Sequence, residues 1–180
     1  MIFAILFLAA VVSAKPDADC DARYAELVEP SMALDYPHFD QTEGSGFRVL
    51  AEAGCPRQAA DLIERYQAHN GAKQRSLIWH VAQLRGESGQ TNEALAAARA
   101  SLNSSEAQDA DFRWNAHVRA YLAFLDADRA AFDAALAELD AHLQAHQGNA
   151  MNAGFWRKLE PYFDQRYAEA TRLGIGGAED

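Results

Sequence analysis

Three potential metal ligands are spaced for one face of a helix in the second half of the chain. Glu138, His142 and His146 follow one another at intervals of four residues. Carboxylate and imidazole groups at this spacing can hold zinc or copper. The competing interpretation is that the helix dipole favours histidine near a helix C-terminus, and no cysteine or further histidine is placed to complete four ligands. We predict no metal or other cofactor, and keep a metal-binding or small-molecule-binding protein as the alternative function.

Six other residues are candidates for a partner-binding groove. His80 and His117 each stand nine residues before a predicted turn residue, Gly89 or Asp126, which predicts equivalent positions in successive helix pairs. Tryptophan and arginine side chains nearby supply large contact area and forked hydrogen bonds, as recognition of peptides or carboxylates requires. The alternative is that the tryptophans pack between helix pairs and the histidines belong to the core. The candidates are Trp79, His80, Arg85, Trp114, His117 and Arg119.

No catalytic motif stands out. Ser45 lies in a Gly-Ser-Gly sequence that lacks the strand-turn-helix context of a nucleophile elbow, and its glycines follow no predicted strand, as a dinucleotide site would need. Residues 30–45 form a long predicted loop; such loops are often functional, although an irregular cover over the first helix pair is the simpler interpretation. We predict that the protein is not an enzyme. A hydrolase using a polar loop residue stays open, the loop candidates being Asp35, Tyr36, His38 and Asp40.

The elements that would position these residues are clearest between residues 74 and 102. Leu77, Val81 and Leu84 recur at the spacing of one helix face. Gly89 closes this helix at least cost because glycine accepts the left-handed conformation. A second helix then begins at Thr91 or Asn92, either of which can cap the free N–H groups at its N-terminus. Since so few residues connect them, the two helices must lie antiparallel.

The same helix pair recurs along the chain. Gly54, Gly89 and Asp126 each stand five residues before an alanine, and these alanines, 35 and 37 residues apart, are Ala59, Ala94 and Ala131. The helix pairs predicted on this period occupy about residues 45–69, 74–102 and 109–146, and a degenerate fourth pair occupies 151–173. The fold class is therefore predicted to be all-α, an array of three to four antiparallel helix pairs.

This period and spacing resemble the tetratricopeptide repeat, whose units are antiparallel helix pairs of 34 residues. The resemblance covers roughly residues 44 to 146. Finer motifs, among them Gly44-Ser45-Gly46-Phe47, Trp79-His80 and Trp114-Asn115, are similar to a group of exported bacterial proteins of unknown function. The resemblance implies an α-solenoid whose concave surface binds a protein or peptide without catalysis.

The N-terminal segment points to export. Residues 1–14 are apolar and end in Val-Ser-Ala, which predicts a signal peptide and a periplasmic or secreted protein; a retained anchor is the alternative. In an oxidising compartment Cys20 and Cys55, the two cysteines of the chain, are expected to form a disulfide, the alternative being inert or reactive thiols. This link would attach residues 15–44, a helix of about 19–29 ended by Pro30 and the loop, to a repeat domain at 45–173. Residues 174–180 are predicted to be a disordered tail.

The charge of the chain excludes some partners. The formal net charge is −10, which repels phosphate backbones and anionic headgroups. We therefore predict no nucleic-acid partner. Because no stretch after residue 14 is long and apolar enough to cross a membrane, we also predict no membrane insertion after removal of the signal peptide. The partner expected is a protein or peptide.

Overall fold

A computed structural model describes residues 17–176, and over this range the chain is helical with no strand, which confirms the predicted all-α class. The predicted signal peptide and the last four residues lie outside this range. No described helix combines the length and the apolarity that crossing a membrane requires. The helices are α1 Asp17–Met32, α2 Arg48–Glu52, α3 Pro56–Asn70, α4 Arg75–Glu87, α5 Thr91–Ala100, α6 Trp114–Leu125, α7 Arg129–Ala141, α8 Gln147–Leu159 and α9 Tyr167–Gly174.

These helices form pairs at the predicted places: α2 with α3, α4 with α5, α6 with α7 and α8 with α9. A left-handed residue, Gly54, Gly89 or Ala127, ends the first helix of the first three pairs. The N–H of the left-handed residue donates to the carbonyl three residues earlier. The N–H of the following residue donates to the carbonyl five residues before it. Together these two hydrogen bonds form a Schellman motif. The longer bonds join Cys55 to Leu50 (2.9 Å), Gln90 to Arg85 (2.8 Å) and Asp128 to Ala123 (2.9 Å).

The predicted register of the third pair is wrong by one residue. Ala59 and Ala94 are the fourth residues of α3 and α5, and both are fully buried. The fourth residue of α7 is Phe132, which is also fully buried, whereas Ala131 is exposed. Ala170 has the same place in α9 and the same burial. The equivalent positions are thus 59, 94, 132 and 170.

The error arises at the third turn, where the left-handed residue is Ala127 and not Asp126. Alanine at that position gives no sequence sign of a positive φ, as glycine does in the first two turns. The predicted equivalence of His80 and His117 fails for the same reason. Counted back from the left-handed residues, His117 corresponds to Trp79, and His80 corresponds to Val118.

The N-terminal segment is attached to the first pair as predicted. Cys20 of α1 and Cys55, the residue before α3, form a disulfide with their Cα atoms 5.5 Å apart. A disulfide at this place fits an oxidising compartment outside the cytoplasm. The predicted end of the first helix is wrong, because α1 continues through Pro30 to Met32. Its final carbonyl is satisfied from α3, where Asn70 Nδ2 donates to Met32 O at 3.2 Å.

The predicted loop 30–45 is less irregular than expected. A short π-helical turn, Pro37–Gln41, inserts the fully buried Phe39 into the core. The Phe39 ring stacks on Tyr66 of α3 with centroids 3.7 Å apart. A segment held by a buried aromatic ring is part of the core of the first pair, and its polar residues have fixed positions.

Consecutive pairs pack in chain order through α3 on α4, α5 on α6 and α7 on α8, and α9 also packs on α4. In a linear repeat array each pair would touch only its neighbours, so the contact of α9 with α4 brings the fourth pair back onto the second. Tyr167 of α9 meets Tyr121 of α6 edge to face, with centroids 4.8 Å apart. Tyr121 Oη donates to Ala82 O of α4 at 2.5 Å. Gly86 of α4 leaves the space that these two rings occupy.

We predict that Gly86→Ala destabilises the fold although alanine favours helices. A Cβ at position 86 would lie 2.2 Å from Tyr121 Oη and 2.9 Å from Tyr167 Cδ1, so the rings must shift, at a cost of about 1–3 kcal/mol. The matched control is Gly154→Ala in α8, where a Cβ meets nothing within 4 Å and about 0.5–1 kcal/mol of stabilisation is expected. Urea unfolding followed by circular dichroism measures both. Equal effects of the two substitutions would contradict the packing of α9 on α4.

Candidate functional site

Three of the six candidate residues meet in an aromatic cluster where α4, α6 and α8 pack together. The Trp79 ring lies 4.7 Å from the His117 ring and 5.5 Å from the Trp114 ring, measured between centroids. Trp79 and His117 are each 5 % exposed, and Trp156 of α8 packs against His117 from the other side. Trp114 is partly buried, and its indole N–H donates to Ser101 O at 2.7 Å. Trp79 and His117 therefore join the helix pairs, and of the three rings only Trp114 reaches an open surface.

His117 is held as a neutral imidazole. The Trp156 indole N–H donates to His117 Nδ1 at 3.0 Å, so the Nδ1 atom is the acceptor and the ring proton is on Nε2. Burial lowers the pKa of His117 from 6.5 to about 3 because the charged form would lose its hydration. Its contribution to the protein is a hydrogen bond inside the core.

Arg85 belongs to an ion network between the first two helix pairs. Its guanidinium is buried and donates to Asp61 at 2.6 Å and to Glu64 at 2.8 Å, both on α3, and to Gln90 at 2.9 Å in the following turn. Burial alone would lower the pKa of Arg85, but the two carboxylates outweigh it and raise the pKa. With these partners Arg85 fixes α4 on α3 and is not presented to the solvent.

His80 faces the N-terminal segment and lies apart from the aromatic cluster. Its Nε2 lies 3.2 Å from Oδ1 of the buried Asp40, and its Nδ1 lies 3.3 Å from Gln83 Oε1. Burial would raise the pKa of Asp40, but contacts with His80 and Tyr36 and the charge of Arg48 outweigh it, and the pKa is lowered. The contact with His80 is within ion-pair distance, although no donor is aligned with Oδ1 for a hydrogen bond.

This Asp40–His80 pair does not form the chain of groups that nucleophilic catalysis uses. Neither nitrogen of His80 contacts a hydroxyl group, since Asp40 and Gln83 occupy both. The hydroxyl of the loop residue Tyr36 contacts Ser76 Oγ at 2.8 Å. The pair instead holds the π-helical turn on α4.

The three residues with metal-ligand spacing, Glu138, His142 and His146, make separate contacts. Helix α7 ends at Ala141, so the helical spacing of His142 and His146 is lost. His142 Nδ1 donates to Glu138 O at 2.8 Å and its Nε2 accepts from Arg113 at 2.8 Å. His146 accepts from the N–H of Gly148 and so caps α8. Within residues 17–176 no cluster of three or more His, Cys, Asp or Glu side chains is arranged for a metal ion.

Arg119 alone among the candidates lines an open groove on its own helix pair. Its side chain is about half exposed and donates to Glu138 of α7 at 2.7 Å. Beside this ion pair runs a groove of about 380 Å³, which we call the α6–α7 groove. Its lining residues are Arg119, Leu122, Ala123, Asp126, Asp128, Ala131, Ala134, Ala135 and Glu138.

A second open cavity lies at the N-termini of α4 and α6, and we call it the Trp114 pocket. Trp114 was a predicted site residue, but its neighbours Arg75 and Phe112 were missed. The one sequence sign of this pocket is the thirteen-residue connection 101–113 between α5 and α6, a length that is uncommon without a function. The pocket has a volume of about 520 Å³.

Comparison of the chain with protein-family models, curated proteins and solved structures gave no match.

We predict that neutral His117 makes stability depend on pH. As the folded-state pKa is below the unfolded value of 6.5, the unfolded chain binds the proton first, and the stabilisation present above pH 6.5 is lost as the pH falls towards about 3. The loss is about 1.4 kcal/mol per pH unit once the unfolded-state imidazole is protonated. Urea unfolding at a series of pH values measures it.

The matched variant is His117→Asn, which keeps an acceptor near Nδ1 for the Trp156 indole but does not titrate. Its unfolding free energy should fall about 2.5 kcal/mol less than that of the wild type between about pH 6 and pH 4. Parallel curves for the two proteins would contradict a buried neutral His117.

Proposed function

We propose that the protein is an exported, non-enzymatic scaffold in which tetratricopeptide-like helix pairs present a groove to a protein or peptide partner. The solenoid arrangement is supported by the three equivalent turns and by the packing of consecutive pairs in chain order. The Cys20–Cys55 disulfide supports the periplasm or the secreted state. The net charge of −10 favours a partner other than nucleic acid.

The observation that carries this proposal is the α6–α7 groove. Its floor is apolar and built from small side chains, so a partner's backbone could approach closely. Ala131 and Ala134 are exposed there, although the register of α7 turns Phe132 and Leu136 into the core. An open apolar groove with a polar rim is typical of a surface that receives an amphipathic helix.

The charges at the rim indicate the chemistry of the partner. Three carboxylates, Asp126, Asp128 and Glu138, and one guanidinium, Arg119, line the groove, so the rim is negative overall. Asp126 also contacts Arg99 of α5 at 3.6 Å, which joins the second pair to this edge. A helix with small apolar residues on one face and lysine or arginine beside them would complement the groove.

The metal-binding and hydrolase alternatives rest on residues that have other roles in the described part of the chain. A metal-binding protein would use Glu138, His142 and His146, which are an ion-pair partner, a hydrogen-bonded helix cap and a capping residue. A hydrolase would use Asp40, whose neighbour His80 contacts no hydroxyl group. We therefore retain the binding scaffold as the function.

We predict that Ala134→Arg removes partner binding and that Ala137→Arg does not. Both alanines are exposed on α7, but only Ala134 lines the α6–α7 groove, where an arginine would fill the floor and add positive charge against a basic partner. The measurement is affinity capture from the host's cell-envelope fraction with mass spectrometry. For a partner that binds in this groove, the amount captured by Ala134→Arg should be at least about tenfold lower than the amount captured by the wild type. Equal capture by both variants would contradict the proposed surface.

A further inference from the structure

The Trp114 pocket is lined without any residue of the α6–α7 groove, and it is built to a fixed shape. Its wall is the 101–113 connection, which Asn115 of α6 holds at Asn103 by two hydrogen bonds. Asn115 Oδ1 accepts from Asn103 N at 2.7 Å, and Asn115 Nδ2 donates to Asn103 O at 2.9 Å. At the other end of the connection the N–H of Arg113 donates to the buried Asn149 Oδ1 at 2.8 Å. Since both ends are fixed by amide side chains, the pocket is formed before any ligand binds.

The floor of the pocket is apolar and aromatic. Ala107, Ala110, Phe112 and Trp114 line it. Because the Trp114 indole N–H donates to Ser101 O, the ring presents only apolar surface to the pocket. Phe112 is held by ring contact with His146, with centroids 4.6 Å apart. A volume of about 520 Å³ with such walls is in the range of small-molecule sites.

One cation stands at the rim of this pocket without a carboxylate partner. Arg75 donates one N–H to Asn103 Oδ1 at 3.0 Å, and no described carboxylate lies within ion-pair distance of it. Of the twelve other arginines in the described chain, nine contact carboxylates. Arg75 is also the first residue of α4, where the helix dipole disfavours a positive charge. The stability of α4 therefore gives no reason for an arginine at this position.

The acidic residue in the lining is already engaged. Glu106 Oε2 accepts from the N–H of Asn115 at 2.8 Å, in the first turn of α6. The positive end of a helix compensates a carboxylate placed there. Arg75, with most of its N–H donors free of protein partners, is the charge that remains for a ligand.

From these contacts we infer that the Trp114 pocket binds a small organic acid with one carboxylate and an apolar or aromatic body. The carboxylate accepts the forked hydrogen bonds of Arg75, and the body lies against Trp114 and Phe112. Ser76, whose Oγ contacts Tyr36 Oη, stands beside Arg75 in the lining. This site is independent of the proposed protein partner.

The test is isothermal titration calorimetry of the full chain with three acids, indole-3-acetate, 3-phenylpropionate and octanoate, and with the primary amide of each. The amides keep the apolar body and remove the charge. We expect at least one acid to bind at least about tenfold more tightly than its amide, because a charge-assisted hydrogen bond is lost. Arg75→Gln should remove this preference. The matched control is Arg65→Gln, an exposed arginine of α3 outside the pocket, and it should leave the preference unchanged.

A second variant, Ala110→Phe, fills the pocket and leaves Arg75 in place. It should weaken the binding of the acid. The inference is overturned if no acid binds better than its amide, or if the preference survives Arg75→Gln. Ala134→Arg should bind the acids as the wild type does, so a failure here and a failure of the partner-binding groove are told apart.

Discussion

The structure depends on a tight turn of fixed hand that is made three times. In each turn one residue takes a left-handed conformation, and the next N–H bonds to a carbonyl five residues earlier. That next residue is also the N-cap of the second helix, so the end of one helix and the start of its partner are set by the same hydrogen bonds. The fourth residue of the second helix is then turned into the core, as alanine in α3 and α5 and phenylalanine in α7. Helix pairing, burial and stacking all follow from this register.

The fourth pair lacks this turn, and the difference shapes the molecule. Pro161 lies in a short 3-10 turn, Glu160–Tyr162, between α8 and α9, and no left-handed residue follows it among the described residues. The orientation of α9 relative to α8 is therefore not set by a Schellman turn. Helix α9 packs on α4, where Gly86 leaves room for Tyr121 and Tyr167. This contact brings the last pair back onto the second, while the α6–α7 groove and the Trp114 pocket stay open.

The parts of this structure that local chemistry decides could be predicted from the sequence, and the parts that depend on distant contacts could not. Helical periodicity and Gly54 and Gly89 located the pairs, and two cysteines in a chain expected to be exported predicted the disulfide. The third register was missed because Ala127 adopts a positive φ without being glycine. The six candidate site residues were chosen by residue type, but in the structure they do not form one site. Arg85 contacts acidic residues of α3, and His80 contacts Asp40. No periodicity predicts that Arg75 contacts Asn103, 28 residues further along the chain.

Ala127 occupies the left-handed position of the same turn that Gly54 and Gly89 make, and substitutions that exchange glycine and alanine at these positions test this equivalence. Left-handed alanine costs about 1–2 kcal/mol, partly offset by the greater flexibility of glycine in the unfolded chain. We expect Ala127→Gly to raise the free energy of unfolding by about 0.5–1 kcal/mol and Gly89→Ala to lower it by a similar amount. A loss of stability in Ala127→Gly, as glycine causes at an ordinary helical position, would show that residue 127 does not make this left-handed turn.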